Sequence, residues 1–500
     1  MRWLDKMADG IRNGLRSFLQ INPPQQTVFQ VTEQMDYYGN AAVNRIWARG
    51  DASEIQDMYK IMPGTVNRIR FWAAVPTEGN DINKLHTGLP KLMRRILTDI
   101  VISDMGKITV DGKWESMWAE IGKDSEFEDI IEKALDEILT VGDGAFRVVL
   151  QPKLSELPII EFVPGDCIEY VTERGRLKEI IFRTVYAKKE GTFILEEHYG
   201  RNYVRAELLK GKNPVPLNTI TDTESLSPEV TFTGNFMLAV RFMAFKSDKY
   251  PDRGASIFDG KADAFDSLDE SWSQWMDALR RGRSREYIPE NMLPINPKTG
   301  AIQPPNAFDN AYIKISKPMA EGSGDKIDVE QPAIPHDSYL ATYSNALDLA
   351  LQGVLSPSTL GIDIKKLDNA EAQREKEKVT LYTRNKLVRA VQKTVPKVVD
   401  MALKAYMTLN KTPIEDVTCE VAFGEYANPS FESQVETVGK AKAQGIMSTE
   451  ACVEEMYGDS KDKVWKDTEV ARIKEEQGIA KVENPAVNMD AGDFSASFGG

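Results

Sequence analysis

Cysteine and long apolar runs are scarce in this 500-residue chain, and each scarcity excludes a class of protein. The cysteines are Cys167, Cys419 and Cys452, an odd and widely spaced set. Such a set indicates a reducing compartment and argues against both a disulfide framework and a four-cysteine zinc site. No run approaches the roughly 18 apolar residues that span a bilayer, so we expect no membrane-spanning segment.

Motifs that carry catalysis are also missing. His86, His198 and His336 have no histidine four residues away, which excludes the H-E-x-x-H zinc motif. The chain contains neither the G-x-x-x-x-G-K-[ST] phosphate loop nor the G-x-S-x-G nucleophile elbow. A dispersed Ser/His or Cys/His pair stays open on spacing alone. We expect a protein that is not an enzyme, with no catalytic residue, cofactor or metal centre.

Basic residues are outnumbered, 62 against 76 acidic residues, which gives a net charge of -14 at pH 7. Proteins that bind nucleic acid by neutralising phosphates are normally basic, so a tight grip on DNA is disfavoured. One dense basic run stands out, RRGRSR, with Arg280, Arg281, Arg283 and Arg285. It is either a helix end neutralised by its neighbours or a docking surface for an acidic or nucleic-acid partner.

Two amphipathic helices bracket an excursion rich in proline and glycine. We predict the helices over Ser256–Arg281 and Asp337–Val354, with a small, loop-rich β excursion between them and a strand at 311–315. Apolar residues recur along the first helix at steps of seven, three and four, as in a coiled-coil seam: Phe258, Phe265, Leu268, Trp272, Trp275 and Leu279. The second helix has its own stripe, which includes Leu347. Both stripes predict rods that bury one face against another surface.

A third and very long helix is predicted over about Asn369–Tyr406, after a link too short to form a domain. Pro396 lies inside this helix and should kink it. Upstream, residues 27–140 are typical of helices with breaks. Residues 145–245 are rich in β-branched and aromatic residues between turn signals, which predicts an antiparallel meander. The fold class is therefore α+β, mainly α.

Four aspartates follow the helical period at the start of the first predicted helix: Asp259, Asp263, Asp266 and Asp269. Clustered carboxylates can hold the two metal ions of a nuclease. These four share neither a strand end nor a turn, so a solvated acidic helix face is the favoured interpretation.

The order of these elements resembles that of the portal proteins of tailed bacteriophages, the long-tailed class in particular. Three segments carry the resemblance, which spans roughly residues 30–480. They are Gly254-Ala255-Ser256 ahead of the acidic helix, Asp166–Tyr170 followed by RGRLKEIIF, and QGIMSTEACVEEMYG followed by an acidic helix.

The resemblance implies a portal-like protomer with an α/β wing, a two-helix stem, a small β-containing clip and a long kinked tunnel and crown helix. Its segments would be an N-terminal amphipathic helix or arm at 1–26, the wing at 27–255, stem helices at 256–282 and 337–354, the clip at 283–336, the tunnel loop at 355–368, a long tunnel helix with its return to the wing at 369–429, the crown at 430–480 and a disordered tail at 481–500.

The resemblance also implies a function. Copies would form a homo-oligomeric ring, of about twelve subunits, at one vertex of the virion capsid after assembly in the host cytoplasm. Double-stranded DNA would pass through the ring without sequence specificity during packaging and ejection. The implied partners are the major capsid protein, the scaffold, the terminase large subunit and a head–tail adaptor, with no membrane involved.

Site residues carried over from the resemblance fall into three groups. Asp363, Lys365 and Lys366 would line the tunnel. The four arginines of the RRGRSR run would lie where the stem meets the clip and docks an adaptor. Phe265, Leu268, Trp272, Trp275 and Leu347 would pack between the stems of neighbouring subunits.

Two other interpretations stay open. One is an oligomeric scaffold or adaptor that uses the same helices without handling DNA. The other is a metal-dependent nuclease built on the four aspartates.

Overall fold

The computed structural model describes residues 35–61, 70–75, 82–151, 154–282, 285–289, 295–302, 311–315, 328–330, 333–361, 370–424, 431–457 and 463–476. The chain forms two compact units, Met1–Ala422 and Phe423–Gly500. The predicted N-terminal helix, the tunnel residues Asp363, Lys365 and Lys366, and the C-terminal tail lie outside the described residues.

The first unit opens with helices, as the sequence predicts. They are α1 (Tyr37–Arg49), α2 (Ala52–Ile61), α3 (Leu89–Ser103), α4 (Glu115–Asp124) and α5 (Phe127–Val141). Asp36 begins α1 by accepting a hydrogen bond from the Gly39 N–H at 2.8 Å. A short strand, β1 (Met105–Val110), interrupts this helical region and pairs with β14 (Cys419–Phe423) far along the chain. No local pattern predicts that pairing, because the two strands lie some 300 residues apart in the sequence.

A three-stranded antiparallel sheet lies against α5. Its strands are β2 (Asp143–Val149), β3 (Ile159–Pro164) and β10 (Ala239–Met243), in the order β10-β2-β3. Phe146, Phe162 and Phe242 meet across this sheet with ring centroids 5.1 to 6.3 Å apart. The aromatic residues that predicted strands here thus form part of the core of the unit.

A second antiparallel sheet follows the chain order β4-β5-β6-β7-β8. These strands are β4 (Ile168–Glu173), β5 (Arg176–Lys188), β6 (Gly191–Gly200), β7 (Tyr203–Lys210) and β8 (Asn213–Val215), and β9 (Glu229–Thr231) also pairs with β7. Phe193, Leu195, Leu208 and Ile220 form its buried cluster. The antiparallel strands predicted over 145–245 are confirmed, but they divide between two sheets, and the meander itself runs from β4 to β8.

The two predicted rods are α6 (Ala262–Arg281) and α7 (His336–Leu351). A small sheet lies between them in the sequence, with β11 (Arg285–Pro289) parallel to β12 (Ala311–Ile315) and antiparallel to β13 (Asp328–Glu330). The strand predicted at 311–315 is confirmed. The first rod begins later than predicted, because Ser256–Lys261 forms turns in which the Phe258 N–H donates to Ser256 Oγ.

The long helix α8 (Ala370–Leu409) continues through Pro396 without interruption. The second half of this helix has a buried side that packs towards α3, β2 and β10. The buried side chains include Leu387, Val391, Val395, Val398 and Ala402. Most of this helix is therefore a core element of the first unit.

The second unit contains three helices among its described residues, α9 (Phe431–Ala443), α10 (Thr449–Tyr457) and α11 (Lys463–Glu476). The chain as a whole is a mixed α+β protein, as predicted. Among the described helices, none combines the length and the apolar character needed to cross a bilayer.

Candidate functional site

The two rods form an antiparallel pair joined by aromatic rings. The ring centroids of Trp272 and Tyr343 are 5.5 Å apart, and those of Trp275 and Tyr339 are 6.4 Å apart with an interplanar angle of 8°, which is a stacked arrangement. Since the contact moves forward along α6 while it moves backward along α7, the helices run in opposite directions. At the end of α6, a Cβ on Gly282 would lie 2.5 Å from Ile334 Cδ1, so glycine lets the segments before and after the small sheet approach each other there.

Three of the five residues predicted to pack between subunits are already buried inside one chain. Phe265 is 2% exposed, and Leu268 and Leu347 are each 1% exposed. The interpretation of these three as inter-subunit contacts is therefore wrong, because their apolar surface is already covered within one chain. Trp272 and Trp275 are half-buried and keep some surface free.

Other apolar side chains on the rods stay exposed. Leu279 on α6 is 43% exposed, and Leu340 and Leu349 on α7 are 42% and 59% exposed. Leu279 and Leu340 continue the stripes that contain Leu268 and Leu347, near the ends of the two rods, whereas Leu349 lies on the opposite side of α7. The described residues therefore leave apolar surface uncovered at the rod ends and on the side of α7 that carries Leu349.

The predicted solvated acidic face of α6 is wrong for two of its members. Asp266 and Asp269 are buried, and they anchor the loop segments that precede α3. Asp266 accepts hydrogen bonds from the backbone N–H groups of Phe71 at 2.8 Å and Trp72 at 3.2 Å. Burial raises the pKa of the Asp266 carboxyl above its ordinary value, although the two backbone hydrogen bonds act to lower that pKa.

Asp269 makes the denser set of contacts. It accepts from the Trp72 indole Nε1 at 3.0 Å and from the Thr87 N–H and hydroxyl at 2.8 and 2.9 Å. His86 Nδ1 lies 2.7 Å from the same carboxylate. With this many donors, the buried carboxylate anchors α6 to the loop segments that carry Trp72, His86 and Thr87.

The remaining two aspartates point to different partners. Asp259 accepts from the side-chain amides of Asn40 and Asn44 at 2.8 and 3.0 Å. Asp263 forms an ion pair with Arg70 at 2.6 Å. Each of the four carboxylates is thus bound by donors of the chain itself, and together they attach α6 and the turn before it to α1 and to the loop segments that precede α3.

The segment that leads into α6 contains a buried charge cluster that the sequence analysis missed. Asp143 is fully buried and accepts from the Tyr37 hydroxyl at 3.0 Å and from the Gly254 N–H at 2.5 Å. Arg253 lies 3.1 Å from its carboxylate and 3.6 Å from the centre of the Tyr37 ring. Burial raises the pKa of Asp143, while the charge of Arg253 opposes that rise.

Glycine is required where this cluster meets the stem. A Cβ on Gly254 would lie 2.1 Å from the Gly142 carbonyl oxygen. The Ser256 hydroxyl two residues later donates to the Leu139 carbonyl at 3.0 Å. The Gly254-Ala255-Ser256 segment, which the sequence singles out only as the residues ahead of the acidic helix, therefore joins the turn before α6 to the end of α5 by close backbone contact.

The basic run is only partly described. Arg281 pairs with Asp277 at 2.7 Å on the same helix, which agrees with a neutralised helix end. Arg280 is half-buried and lies one residue before it. Arg283 lies outside the described residues, and Arg285 begins β11.

Comparisons with known proteins add neighbours of low similarity. No protein-family model matches the chain, and no curated protein matches it. A chain of the structure "Virion of native gene transfer agent (GTA) particle" is 13% identical over 82% of this chain and 90% of that chain, with a TM-score of 0.36.

A chain of "Neck of native GTA particle computed with C12 symmetry" is 13% identical over 74% of this chain and 89% of that chain, with a TM-score of 0.35. A chain of "Neck of empty GTA particle computed with C6 symmetry" is 12% identical over 72% and 87%, also with a TM-score of 0.35. At TM-scores and identities this low, the likeness does not by itself establish a shared fold.

Proposed function

We propose that this chain is a portal-type protomer: copies close into a ring, of about twelve subunits, whose channel passes double-stranded DNA during packaging and ejection. The observation that carries the proposal is the stem. Two antiparallel helices are held together by aromatic contacts and are anchored by buried carboxylates to the loop segments that precede α3, and Leu279, Leu340 and Leu349 stay exposed on them.

The exposed leucines of the two rods support packing between copies. Leu279, Leu340 and Leu349 would be removed from water when stems stand side by side, as would the free parts of Trp272 and Trp275. In a ring, each such contact is heterologous and the series closes. The small sheet β11–β13 at the far end of the stem would then serve as the clip, which meets the terminase and later a head–tail adaptor.

The charge supports the passage of DNA. A net charge of -14 on each subunit gives a ring to which phosphates do not adhere, and a few cations would supply weak contacts. Asp363, Lys365 and Lys366 remain proposed tunnel residues on this interpretation. The virion would be the site of action, with the capsid protein and the scaffold as further partners.

The test is the assembly state of the purified full-length chain. Mass photometry should give particles of about twelve chain masses, and negative-stain images should show rings with an axial opening. A stable monomer or a closed coiled-coil trimer would contradict the proposal. Rings without any effect of this protein on DNA packaging would instead favour a scaffold or adaptor that does not handle DNA.

A further inference from the structure

A basic groove of about 640 Å³ lies between β10 and the exposed side of α8. Four of its cations are on α8 and three face them from the sheet side: Lys386, Arg389, Lys393 and Lys397, and Arg201, Arg241 and Lys246. None of the groove's lining residues is acidic. In a chain with a net charge of -14, this groove is a local reversal of charge.

Within the described part of the chain, none of these seven cations forms an ion pair. Arg241 lies over the Tyr170 ring at 5.4 Å, and Lys386 lies 5.6 Å from the centre of the Phe245 ring. Arg389, Lys393 and Lys397 are exposed and follow one face of α8 at steps of four. An uncompensated row of cations on a well-packed helix indicates an anionic partner outside the chain.

The floor of the groove favours a protein partner over nucleic acid. Leu177, Met237, Ala239, Met243 and Ala390 contribute apolar surface between the two charged walls. A sugar–phosphate backbone presents mainly phosphate oxygens and little apolar surface, whereas protein interfaces combine an apolar centre with a charged rim.

A surface of complementary charge exists on the same chain. Residues 124–132 include five carboxylates and no basic residue: Asp124, Glu126, Glu128, Asp129 and Glu132. We name this segment at the start of α5 the acid corner. All five are exposed, and in the described structure none of them forms an ion pair. Ser155 donates to Asp124 at 2.7 Å, which brings Leu154, an apolar side chain that is 73% exposed, next to the acid corner.

The two surfaces lie at opposite edges of one sheet. The order is β10-β2-β3, and the groove lies at β10. The acid corner lies beyond β3, because the Ile160 N–H donates to Ser125 Oγ at 3.2 Å. Complementary surfaces on opposite sides of a subunit are the arrangement that a head-to-tail ring requires.

We propose that the basic groove of one copy receives the acid corner of the next copy, with Leu154 over its apolar floor. This interface rests on the ring proposed above and specifies which surfaces of the wing form it. It also explains how strongly acidic subunits associate, since each contact joins a positive surface to a negative one.

Charge reversal tests the interface in the full-length chain. The groove variant is Arg389→Glu with Lys393→Glu, the corner variant is Glu128→Lys with Asp129→Lys, and a third variant combines all four changes. Like charges placed opposite each other should raise the protein concentration for half-assembly by roughly tenfold or more in the first two variants. The combined variant should recover most of the loss, and mass photometry measures all three.

The matched control for the groove variant is Lys189→Glu with Lys212→Glu, which changes the net charge by the same amount as the groove variant but on two exposed turns. Circular dichroism melts check that every variant folds. Assembly of the groove variant at the control's concentration would overturn the interface, as would a combined variant no better than the single ones. A wild-type chain that stays monomeric would overturn the ring as well, so the two failures are distinguishable.

A labelled DNA duplex addresses the other class of ligand. The assembled wild type should bind it no more tightly than the groove variant does, measured by fluorescence anisotropy across a salt series. Salt-dependent binding that the groove variant loses would assign the groove to nucleic acid and overturn the proposal.

Discussion

At the scale of single residues, the aspartates of α6 illustrate how position decides the role of a side chain. Asp263 is exposed and pairs with Arg70, whereas Asp269, six residues later, is buried and joins two loop segments to the helix. Their spacing is helical and their chemistry is the same. What differs is the part of the chain that folds against each one.

The buried carboxylate yields a prediction. Asp269→Ala leaves the Thr87 N–H and the Trp72 indole N–H without an acceptor, and each buried, unpaired donor costs about 1–3 kcal/mol. We expect the free energy of unfolding to fall by about 3 kcal/mol, measured by urea denaturation followed by tryptophan fluorescence.

Ser267→Ala, an exposed neighbour on the same helix, is the control and should leave the transition in place. If Asp269→Ala unfolds at the wild-type urea concentration, the anchoring role is wrong. Metal-dependent cleavage of DNA that Asp269→Ala abolishes without a loss of stability would revive the nuclease interpretation.

At the scale of elements, the apolar residues of the rods α6 and α7 divide into a covered and an exposed set. The covered set includes Leu268 and Leu347, both buried within one chain. The exposed set includes Leu279, on the same stripe of α6 as Leu268, and Leu349, on the side of α7 roughly opposite Leu347. A seven-residue repeat in the sequence identifies an apolar stripe, but it does not say which surface covers it.

The two sets should respond differently to substitution. Leu279→Ser with Leu349→Ser removes apolar surface that the described part of the chain leaves exposed, so we expect wild-type thermal stability of the dissociated chain and weaker ring assembly. Leu268→Ala instead creates a cavity and should destabilise the chain itself by about 2–5 kcal/mol.

Calorimetry on the dissociated chain and mass photometry on the assembled one separate these effects. If rings of the double serine variant resist dilution as well as wild-type rings do, Leu279 and Leu349 do not lie at an interface between copies. Unchanged unfolding of Leu268→Ala would contradict its burial.

At the scale of the whole molecule, the distribution of charge matters more than its sum. The net charge of -14 is compatible with a channel that does not retain DNA, while in the proposed ring the basic groove on α8 would attract the acid corner of the next copy. A uniform spread of the same charges would only make the copies repel each other.

The proposed tunnel lysines give the prediction at this scale. Lys365→Glu with Lys366→Glu should leave ring assembly intact and reduce the amount of DNA packaged, because it replaces the weak phosphate contacts with repulsion. Packaging assays with the variant ring measure the effect, and Lys189→Glu with Lys212→Glu serves as the matched change of charge. Normal packaging by the tunnel variant would remove these lysines from the proposed channel.

Much of the secondary structure followed from local patterns. The antiparallel strands over 145–245, the strand at 311–315, the two rods and the long helix were predictable, since alternation and helical periodicity record which face of an element is buried. The candidate site was less predictable. The contacts of Asp143, Arg253 and Tyr37 join positions up to 216 residues apart (253 minus 37), and no local pattern encodes such a cluster.

The sequence by itself determined the element types, the acidic charge and the lack of familiar catalytic motifs, because these depend on residue identity and on short-range periodicity. Only the tertiary structure decided that Phe265, Leu268 and Leu347 are covered within one chain and that Asp266 and Asp269 are anchors. It also brought the cations of β10 and α8 together into one groove. The physical reason is that burial and charge pairing depend on which distant segments meet, and spacing along a chain does not specify that.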